Sequence, residues 1–460
     1  MIEKFLNKIN NNLKIGILGD FIVDEYYFVD ANKISPEFPI PIMKSSHTHP
    51  EKSHPGGSGN ICRQLCSFDI DIKYFSIIND SFKFLLNKQV NFCGIFSCLV
   101  QNPIKKRYYQ KDFPLCRLDI ETENYNLNDR DLADFQNRIC KNLQQHEFDA
   151  FIFSDYSKGI FNNFDISNYI ESINKKAIKI VDPKNGPISK WKGCNVIKPN
   201  SKEAFLLTNK KNWEDQAQYI SDETGAECVI ITQEGEGFVG LINGEKIEYR
   251  PDAKVKAQSV IGAGDCFISL FALSCSCGVN YLDSAKFAFR ASSIYVQNKY
   301  CDPISYFDLL DSKLVSDPEI FQKRNFLLGF TNGCFDIIHE GHLECLKFAK
   351  SKCDKLVVGL NSDHSVGQLN KSHPLINDLK TRIKFLESLE FVDFVVVFDE
   401  DNPYELIKKI MPDVLIKSTE YESPIGSDLV KKVEFFPVIA DLSTTKIIEK
   451  IKKLNINNLL

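Results

Sequence analysis

The residues best placed for chemistry in the N-terminal part of the chain are Gly262, Ala263, Gly264 and Asp265, which lead into an apolar segment of helical character. Glycines at this spacing allow a tight turn that directs successive N–H groups at one point, and the start of a helix adds its positive end. The pattern predicts an anion hole. Asp265 is then either a cap of the helix or a base that takes a proton from an alcohol attacking a bound phosphate.

Asn200 and Glu203 form a second pattern. Asn200 follows a short apolar strand, and Glu203 lies one turn further on the same helical face. A capping box alone would explain this spacing. The functional alternative is that the carboxamide and the carboxylate serve Mg²⁺ beside a nucleotide, with magnesium held through Glu203 and the phosphates.

Side chains suited to binding sugar hydroxyls lie nearer the N terminus. Asp20 and Asp24 follow the first predicted strand, and Gly57 and Asn60 belong to a glycine-rich turn that leads into a helix. These carboxylates and this carboxamide predict a sugar-binding site. Turn chemistry explains the glycines equally well.

The most specific stretch of the chain is Thr331–His342. His339 and His342 flank a predicted helix start, where two imidazoles beside free N–H groups suit the stabilisation of a nucleotide's α-phosphate during in-line displacement. The alternative is a pair of structural histidines. Zinc is excluded by the spacing, because the metalloprotease motif needs two residues after the Glu and only Gly341 separates Glu340 from His342.

Two other patterns do not support a site. Gly235–Gly240 matches the dinucleotide fingerprint, but the β-rich residues Phe238 to Ile242 follow where a helix is required. His47, His49 and His54 lie close together without an ordered set of Cys or acidic partners, so we predict no direct zinc site there.

Length, composition and charge limit the classes of protein. The 460 residues, at roughly 100 to 200 per domain, predict two to four domains. The 43% hydrophobic and 25% charged residues exclude a mostly disordered chain. A net charge of -5 gives no positive field for a nucleic acid partner. Scattered cysteines, the lack of a secretory signal pattern and the lack of a long apolar run predict a cytoplasmic protein with no membrane segment.

Alternating strand and helix patterns predict α/β domains with parallel sheets. The stretches Lys14 to Asp24 and Phe326 to Asp336 begin alike, with an apolar strand, a Gly-containing turn and an Asp. Polar residues interrupt the apolar pattern between Ser312 and Arg324, so the predicted domains are 1–312 and 325–460. The Pro-, Ser- and His-rich segment Glu37 to Pro55 is expected to form a lid.

The Gly56-Gly57 turn, Asn200-x-x-Glu203 and Gly262-Ala263-Gly264-Asp265, in this order, resemble the motifs of the ribokinase-like (PfkB) sugar kinases. The resemblance implies a ribokinase-like domain with a small lid, and a homodimer formed through this kinase domain. It also implies that Asp265 is the base that activates a sugar hydroxyl, that the glycines stabilise the transferring phosphoryl group, and that Asn200 and Glu203 serve Mg-ATP.

The stretch that ends in His339-x-x-His342 resembles the HxGH nucleotidyltransferases, which join a nucleotide to a phosphorylated alcohol and release pyrophosphate. This implies a smaller, Rossmann-like domain with His339 and His342 as catalytic residues. The implied nucleotide-binding residues are Thr331, Asn332, Gly333, Phe335, Asp336, Gly341, Asn361, Asp363, Arg382, Ser443, Thr444 and Thr445. The alternatives are a plain helix cap for Ser443 and a solvated surface charge for Arg382.

A PfkB-like kinase ahead of an HxGH transferase resembles the bifunctional enzymes of ADP-heptose synthesis, over nearly the whole chain. The resemblance implies ATP-dependent phosphorylation of heptose 7-phosphate at C1 and adenylyl transfer from ATP to heptose 1-phosphate, for the lipopolysaccharide core. Two alternatives stay open: the same steps on another sugar or polyol phosphate, with ATP or CTP, and an active transferase that carries a non-catalytic kinase-like binding module.

The chain departs from the family pattern at several positions. Ser259 and Ile261 stand where Asp and Thr are usual, which weakens the inference of a monovalent-cation site. The other departures are the missing glycines around Ile77 to Phe84, Phe113-Pro114 in place of a Gln pair, and a basic stretch reduced to Lys371 and His373. They predict an altered sugar pocket and fewer triphosphate contacts.

Overall fold

The computed structural model describes residues 9, 13–68, 70–121, 125, 127–162, 166–298, 302–310, 313–315, 317–324, 326–369, 375–420 and 423–437. The chain divides into two compact units, Met1–Leu309 and Leu310–Leu460. Within the described ranges, no helix is both long and apolar enough to cross a bilayer.

The strands of the first unit are β1 (Lys14–Gly19), β2 (Phe21–Phe28), β3 (Asp30–Ile34), β4 (Pro41–Lys44), β5 (Lys52–Gly57), β6 (Asp71–Phe75), β7 (Ile77–Ile78), β8 (Asn91–Phe92), β9 (Ile95–Phe96), β10 (Ile104–Gln110), β11 (Phe113–Ile120), β12 (Ala150–Ser154), β13 (Ile178–Asp182), β14 (Val196–Ile197), β15 (Cys228–Thr232), β16 (Phe238–Ile242) and β17 (Glu245–Tyr249). Its helices are α1 (Ser58–Leu65), α2 (Asp129–Gln145), α3 (Ile166–Ser172), α4 (Ser201–Thr208), α5 (Trp213–Thr224), α6 (Ala263–Ser276) and α7 (Tyr281–Tyr295). Short 3₁₀ helices occupy Asp80–Leu85, Ile188–Trp191, Glu234–Glu236 and Tyr306–Leu309.

The main sheet of the first unit has nine strands in the order β17-β16-β15-β14-β13-β12-β1-β6-β8. The strands are parallel except for the antiparallel run from β15 to β17. Every residue of β12 is buried, as expected for a strand covered on both faces. From the neighbouring strands β1 and β12, successive strands of the chain are added in opposite directions along the sheet. Such a switch point leaves a crevice outside the carboxyl ends of the strands, where ligands bind in open α/β sheets.

A second sheet of the first unit has the order β11-β10-β2-β5. It pairs β2 with β5 and β10 with β11 in antiparallel fashion, and β2 with β10 in parallel fashion. The predicted lid segment Glu37 to Pro55 supplies β4 and most of β5. We call this sheet, together with the hairpin of β3 and β4, the lid.

The second unit has strands β18 (Leu328–Gly333), β19 (Lys355–Asn361), β20 (Phe394–Phe398), β21 (Val414–Ser418) and β22 (Lys432–Phe436). Its helices are α8 (Glu340–Lys350), α9 (Asp363–Gln368), α10 (Leu379–Ser388) and α11 (Tyr404–Ile410), with 3₁₀ helices at Pro318–Lys323 and Ser427–Leu429. The five strands form one parallel sheet in the order β20-β19-β18-β21-β22. Its switch point lies between β18 and β21.

The stretch Phe326 to Asp336 was expected to begin with an apolar strand. That strand is β18, which runs to Gly333 and carries the Thr-Asn-Gly sequence to the carboxyl edge of the sheet. The described residues of the segment at the predicted domain boundary, before Arg324, pack as part of the second unit. Leu314 forms a β-bridge with Val395, and Arg324 forms an ion pair of 2.8 Å with Asp413. Polar residues in this segment hid its few buried apolar side chains from the sequence pattern.

Candidate active sites

Two cavities of the first unit meet at one group of side chains. The first cavity lies against the lid and has an empty volume of about 450 Å³, open solvent included. The second lies beside α4, α6 and α7 and has one of about 1460 Å³ on the same measure. Tyr156, Gly262 and Asp265 line both cavities. Tyr156 follows the carboxyl end of β12, so the meeting point lies at the switch point of the nine-stranded sheet.

Asp265 is buried, with 3% of its surface exposed. One carboxylate oxygen, Oδ2, accepts a hydrogen bond of 2.8 Å from Asn60 Nδ2, and Oδ1 accepts one of 2.6 Å from the Tyr156 hydroxyl. Burial raises the pKa of Asp265 to about 6, and the two hydrogen bonds act in the opposite direction. The capping interpretation of Asp265 is wrong, because Gly262 is the N-cap of α6 and the Asp265 side chain is bonded across the fold.

Gly262 adopts a left-handed conformation, with φ of 74°, where α6 begins. A Cβ atom at this position would lie 2.5 Å from Asn60 Nδ2 and 2.7 Å from the Tyr295 hydroxyl, so the turn has room only for glycine. The predicted anion hole needs one change, because the Ala263 N–H donates to the Val260 carbonyl at 3.3 Å. The N–H of Gly264 in the first turn of α6 has no intrahelical acceptor and is suited to binding an anion.

Asn200 and Glu203 form a complete capping box at the start of α4. Asn200 Oδ1 accepts from the Glu203 N–H at 2.9 Å, and Glu203 Oε2 accepts from the Asn200 N–H at 2.8 Å. Both residues also line the second cavity. The capping interpretation is therefore confirmed, and it leaves the carboxylate beside the space in which a nucleotide would lie.

Two lysines of the second cavity were missed by the sequence analysis. Lys184 donates to Glu203 Oε1 at 2.5 Å, and Lys198 forms a buried ion pair of 2.9 Å with Asp182. The Lys198 ammonium would lie 3.6 Å from a Cβ placed on Gly264, so it adjoins the start of α6. Each lysine closely follows a buried parallel strand, and this position was the available signal.

Three of the predicted sugar-binding residues, Asp24, Gly57 and Asn60, line the first cavity. Asn60 Oδ1 is buried and has no donor among the described residues, so it can accept from a ligand hydroxyl. Asp20 was predicted to join them but is fully buried and outside the cavity lining.

The carboxylate of Asp20 makes its hydrogen bonds within the protein. Its carboxylate accepts from the N–H groups of Tyr156, Lys158 and Ile160 at 2.9, 3.2 and 3.1 Å, and from the Tyr125 hydroxyl at 3.1 Å. These bonds fix the loop that carries Tyr156. The Asp20 carboxylate is therefore bonded within the protein and does not line the first cavity.

In the second unit, His339 and His342 lie together at the start of α8. Their ring centroids are 3.9 Å apart, and His339 is the N-cap residue but makes no side-chain capping bond. His339 Nδ1 is buried and has no partner among the described residues. Burial lowers the pKa of His339, which favours the neutral imidazole. If the two histidines had only a structural role, this buried nitrogen would be expected to have a hydrogen-bond partner within the protein. Its lack of one among the described residues favours a ligand-binding role for the pair.

Arg382 is fully buried, and the interpretation as a solvated surface charge is wrong. Its guanidinium donates to the carbonyls of Cys334 and Asn361 at 2.8 and 2.7 Å and to Asp363 Oδ1 at 2.6 Å. It thereby joins the loop after β18 to the loop after β19. Arg382, Asn361 and Asp363 shape the carboxyl edge of the sheet through these contacts.

Two residues predicted to bind the nucleotide have side chains that are buried within the second unit. Asp336 is 2% exposed and accepts from the N–H groups of Ile376 and Asn377, at 3.1 and 2.7 Å to Oδ1. Phe335 belongs to the core of the second unit, and its ring centroid lies 5.2 Å from that of His342. A motif does not show which of its side chains turn inward.

Other predicted residues lie near the same edge. Thr331, Asn332 and Gly333 end β18, and Gly341 is the second residue of α8. The predicted residues Ser443, Thr444 and Thr445 lie outside the described residues.

Lys417, which the sequence analysis missed, lies near the end of β21, directly across the switch point from Asn332. Its ammonium donates to Asn332 Oδ1. Burial lowers the pKa of Lys417 to about 8. Lys417 is half-buried in this crevice, and its positive charge lies close to α8, the helix that begins at His339 and His342.

Comparison with known families agrees with this division of the chain. Residues 122–305 match the family model described as pfkB family carbohydrate kinase, and residues 330–456 match the one described as cytidylyltransferase-like. Phosphofructokinase-2 from Escherichia coli, with 17% sequence identity, superposes on 65% of this chain and 97% of its own, with a TM-score of 0.52. This likeness shows the ribokinase-type fold alone.

Curated relatives cover almost the whole chain. The bifunctional protein HldE of Campylobacter jejuni subsp. jejuni is 34% identical over 464 residues, which are 95% of this chain and 97% of the relative. The bifunctional protein HldE of Sulfurimonas denitrificans is 31% identical over 471 residues, with the same coverage. The chain therefore belongs to the family of the bifunctional protein HldE, in which a pfkB-type carbohydrate kinase precedes a cytidylyltransferase-like nucleotidyltransferase.

Proposed function

We propose that the protein catalyses two steps of ADP-heptose synthesis. The first unit transfers the γ-phosphoryl group of ATP to the C1 hydroxyl of heptose 7-phosphate, and the second unit transfers an adenylyl group from ATP to heptose 1-phosphate. The observation that carries the kinase proposal is the buried carboxylate of Asp265 between two cavities. One cavity suits a small polar acceptor, and the larger one suits a nucleotide.

In the kinase step, Asp265 accepts the proton of the C1 hydroxyl as its oxygen attacks the γ-phosphorus. Asn60 and Tyr156 hold the carboxylate in place. The Gly264 N–H and the positive end of α6 stabilise the charge on the transferring group, with Lys198 beside them. ADP leaves into the second cavity, and heptose 1,7-bisphosphate remains in the first.

The carboxylates of the second cavity fit magnesium bound mainly by the nucleotide. Glu203 and Asp182 supply the hard oxygen atoms that Mg²⁺ prefers, but each already accepts from a lysine. Contact through water is therefore the arrangement that the donors suit. When bound, Mg²⁺ neutralises charge on the phosphates. Among the described residues, no three His, Cys, Asp or Glu side chains converge on one metal position.

In the transferase step, a phosphate oxygen of heptose 1-phosphate attacks the α-phosphorus of ATP and pyrophosphate leaves. His339 and His342 contact the α-phosphate as charge builds on it, and the N-terminal end of α8 adds its dipole. Lys417 and Asn332 lie across the same crevice and bind phosphate oxygens. Arg382 acts through the loops that it holds.

The two acceptors differ by the phosphate at C7, so hydrolysis of that ester has to come between the steps. Each activity is therefore tested with its own acceptor, by mass spectrometry of the products from a panel of sugar phosphates with ATP or CTP. We expect heptose 1,7-bisphosphate from heptose 7-phosphate and ADP-heptose from heptose 1-phosphate. Better turnover of another sugar or polyol phosphate, or of CTP, would contradict the assignment and select the alternative substrate.

The kinase rate should fall in acid. Because the pKa of Asp265 is raised to about 6, the carboxylate that accepts the proton is present above this pH and is lost below it. Phosphates bound nearby add negative charge, which moves this limit upward. We expect kcat at saturating substrate to decrease about tenfold for each pH unit below the limit. A kcat that stays constant from about pH 5 to 8, with circular dichroism showing a folded protein throughout, would contradict the assignment of Asp265 as the base.

We propose that the protein is a homodimer formed through the lid. Large apolar side chains are exposed on the lid, namely Ile34, Phe38, Ile40, Met43, Phe113 and Leu118. A second copy of the same surface would cover them. Light scattering should show a dimer, and Leu118→Glu should shift it to the monomer. Leu206→Glu, at an exposed apolar residue outside the lid, is the control. A monomeric wild-type protein would exclude this dimer.

We place the enzyme in the cytoplasm, where ATP is available. The cysteines of the described residues are free thiols, as a reducing compartment permits.

A further inference from the structure

Tyr156 lies where the two cavities of the first unit meet, and its hydroxyl contacts the carboxylate of Asp265. Its ring has a cation from each cavity beside it. The ammonium of Lys184, which lines the second cavity, lies 4.9 Å from the ring centre. That of Lys105, which lines the first cavity, lies 5.9 Å from the same point. The phenol is therefore placed between the acceptor side and the nucleotide side, at the base itself.

Backbone hydrogen bonds hold the loop that carries this phenol. The Tyr156 N–H donates to Asp20 Oδ2 at 2.9 Å, and the Ser157 N–H donates to Asp155 Oδ1 at 2.8 Å. Asp20 and Asp155 are both buried, and Asp155 also forms an ion pair of 2.6 Å with Lys190. Hydrogen bonds from N–H groups to carboxylates are stronger than neutral ones, so they fix the position from which the phenol reaches the base.

The two carboxylate oxygens of Asp265 have different surroundings. Oδ2 accepts from Asn60, a residue of the first cavity, whereas Oδ1 accepts from the Tyr156 hydroxyl at 2.6 Å. Each carboxylate oxygen can accept about two hydrogen bonds, so Oδ2 keeps a position for a hydroxyl that arrives from the acceptor side. Burial raises the pKa of Tyr156 well above its usual value, and the phenol therefore stays protonated as a donor to Oδ1.

A base beside bound ATP can activate water as well as a sugar hydroxyl, because both give up a proton as their oxygen attacks. Asp265 also lines the second cavity, which is open to solvent, so water can approach it from the nucleotide side. To act as a nucleophile, this water has to donate its proton to an oxygen of the carboxylate. The Tyr156 hydroxyl already occupies that position at Oδ1.

We propose that the Tyr156 hydroxyl keeps water away from Asp265, so that the base serves only the hydroxyl that the acceptor sugar delivers from the first cavity. The inference rests on the proposed kinase function and deepens it. It assigns the residue that couples the loss of the γ-phosphoryl group from ATP to its arrival on the sugar. Tyr156 is a positioning residue in this role, because it acts through Asp265.

The reaction that Tyr156 prevents is the hydrolysis of ATP. In it, the oxygen of water forms a bond to the γ-phosphorus, and the bond from that phosphorus to the bridging oxygen of ADP breaks. The proton of the attacking water passes to Asp265. The products are ADP and inorganic phosphate, in place of ADP and a phosphorylated sugar.

The test is Tyr156→Phe, which keeps the ring and leaves a gap of about the size of a water molecule beside Oδ1 of Asp265. ADP release from ATP without any acceptor should rise about 10- to 100-fold, less than the full effect of a general base because the water is not held in line. With heptose 7-phosphate, the variant should form more ADP than heptose 1,7-bisphosphate, whereas the wild type should form equal amounts. This ratio does not depend on the folded fraction of the enzyme, so a loss of stability cannot imitate it.

Two controls accompany this variant. Tyr74 is a fully buried tyrosine of the same unit, and its hydroxyl lies 2.7 Å from Ser58 Oγ. Tyr74→Phe should form ADP and bisphosphate in equal amounts. The double variant Tyr156→Phe/Asp265→Asn should lose the excess ADP, because the hydrolysis needs the base. The second unit releases pyrophosphate from ATP, so ADP reports the first unit.

Acceptor-free ADP release by Tyr156→Phe at or below the wild-type rate would overturn the inference. Excess ADP that persists in the double variant would overturn it as well, since that hydrolysis would not pass through Asp265. Neither result bears on the kinase proposal, which is decided by C1 phosphorylation of heptose 7-phosphate by the wild type. If the wild type phosphorylates another sugar instead, the acceptor-free rate still decides the role of Tyr156.

Discussion

Asp265→Asn is expected to lower the kinase kcat by about 10²- to 10⁴-fold, because the carboxamide cannot accept the proton of the C1 hydroxyl. The side chain keeps its size, and the folded protein is expected to persist, since burial disfavours the charged carboxylate in any case. The measurement is the initial rate of ADP release with heptose 7-phosphate. Adenylyl transfer to heptose 1-phosphate, assayed on the same preparation, should be unchanged.

A matched control for Asp265→Asn is available in the next helix. Asp283 holds the third position of α7, as Asp265 does in α6, but it bonds only with its own capping residue, Asn280, in the contacts that the structure shows. Asp283→Asn should keep the wild-type kinase rate. If Asp265→Asn kept that rate as well, the base assignment would be refuted, and a wild-type protein without kinase activity would favour a non-catalytic first unit.

His339→Asn is expected to lower adenylyl transfer by about 10²- to 10³-fold, the usual effect of losing one group that stabilises transition-state charge. Asparagine is a favoured N-cap residue, so α8 should keep its start and the thermal unfolding temperature should stay near that of the wild type. Pyrophosphate release with heptose 1-phosphate measures the effect. Phosphorylation of heptose 7-phosphate should be unaffected.

The control for this substitution is His364→Asn, at an exposed histidine in α9 of the same unit. It should leave both activities at the wild-type level. If His339→Asn transfers adenylyl groups as fast as His364→Asn, the histidine pair has a structural role and the proposed transferase mechanism is wrong.

Residues whose spacing alone dictates their surroundings could be predicted from the sequence. Gly262 and Asp265 are an example, because a left-handed glycine before an apolar helix fixes where the helix starts and where the acid lies in its first turn. The strand Phe238–Ile242 was likewise located correctly from its β-branched and apolar residues.

Residues whose roles depend on distant partners could not be assigned. Asp20 and Asp336 are polar residues in motifs, but loops that are far away in the sequence bury them and use their oxygens. Lys105 and Arg107 are unremarkable in a charged segment and become a cavity wall only through the pairing of β10 with β2. Burial of Arg382 has the same origin, since its three acceptors come from two connections, after β18 and after β19.

The central claim is that each unit has its own phosphate site at a helix start. A crystal structure with magnesium and a non-hydrolysable ATP analogue tests it most directly. We predict two bound nucleotides per chain, one with its terminal phosphate within hydrogen-bond distance of the Gly264 N–H and the other with its α-phosphate in contact with His339 and His342. Nucleotide phosphates bound elsewhere, remote from both Gly264 and His342, would contradict the account.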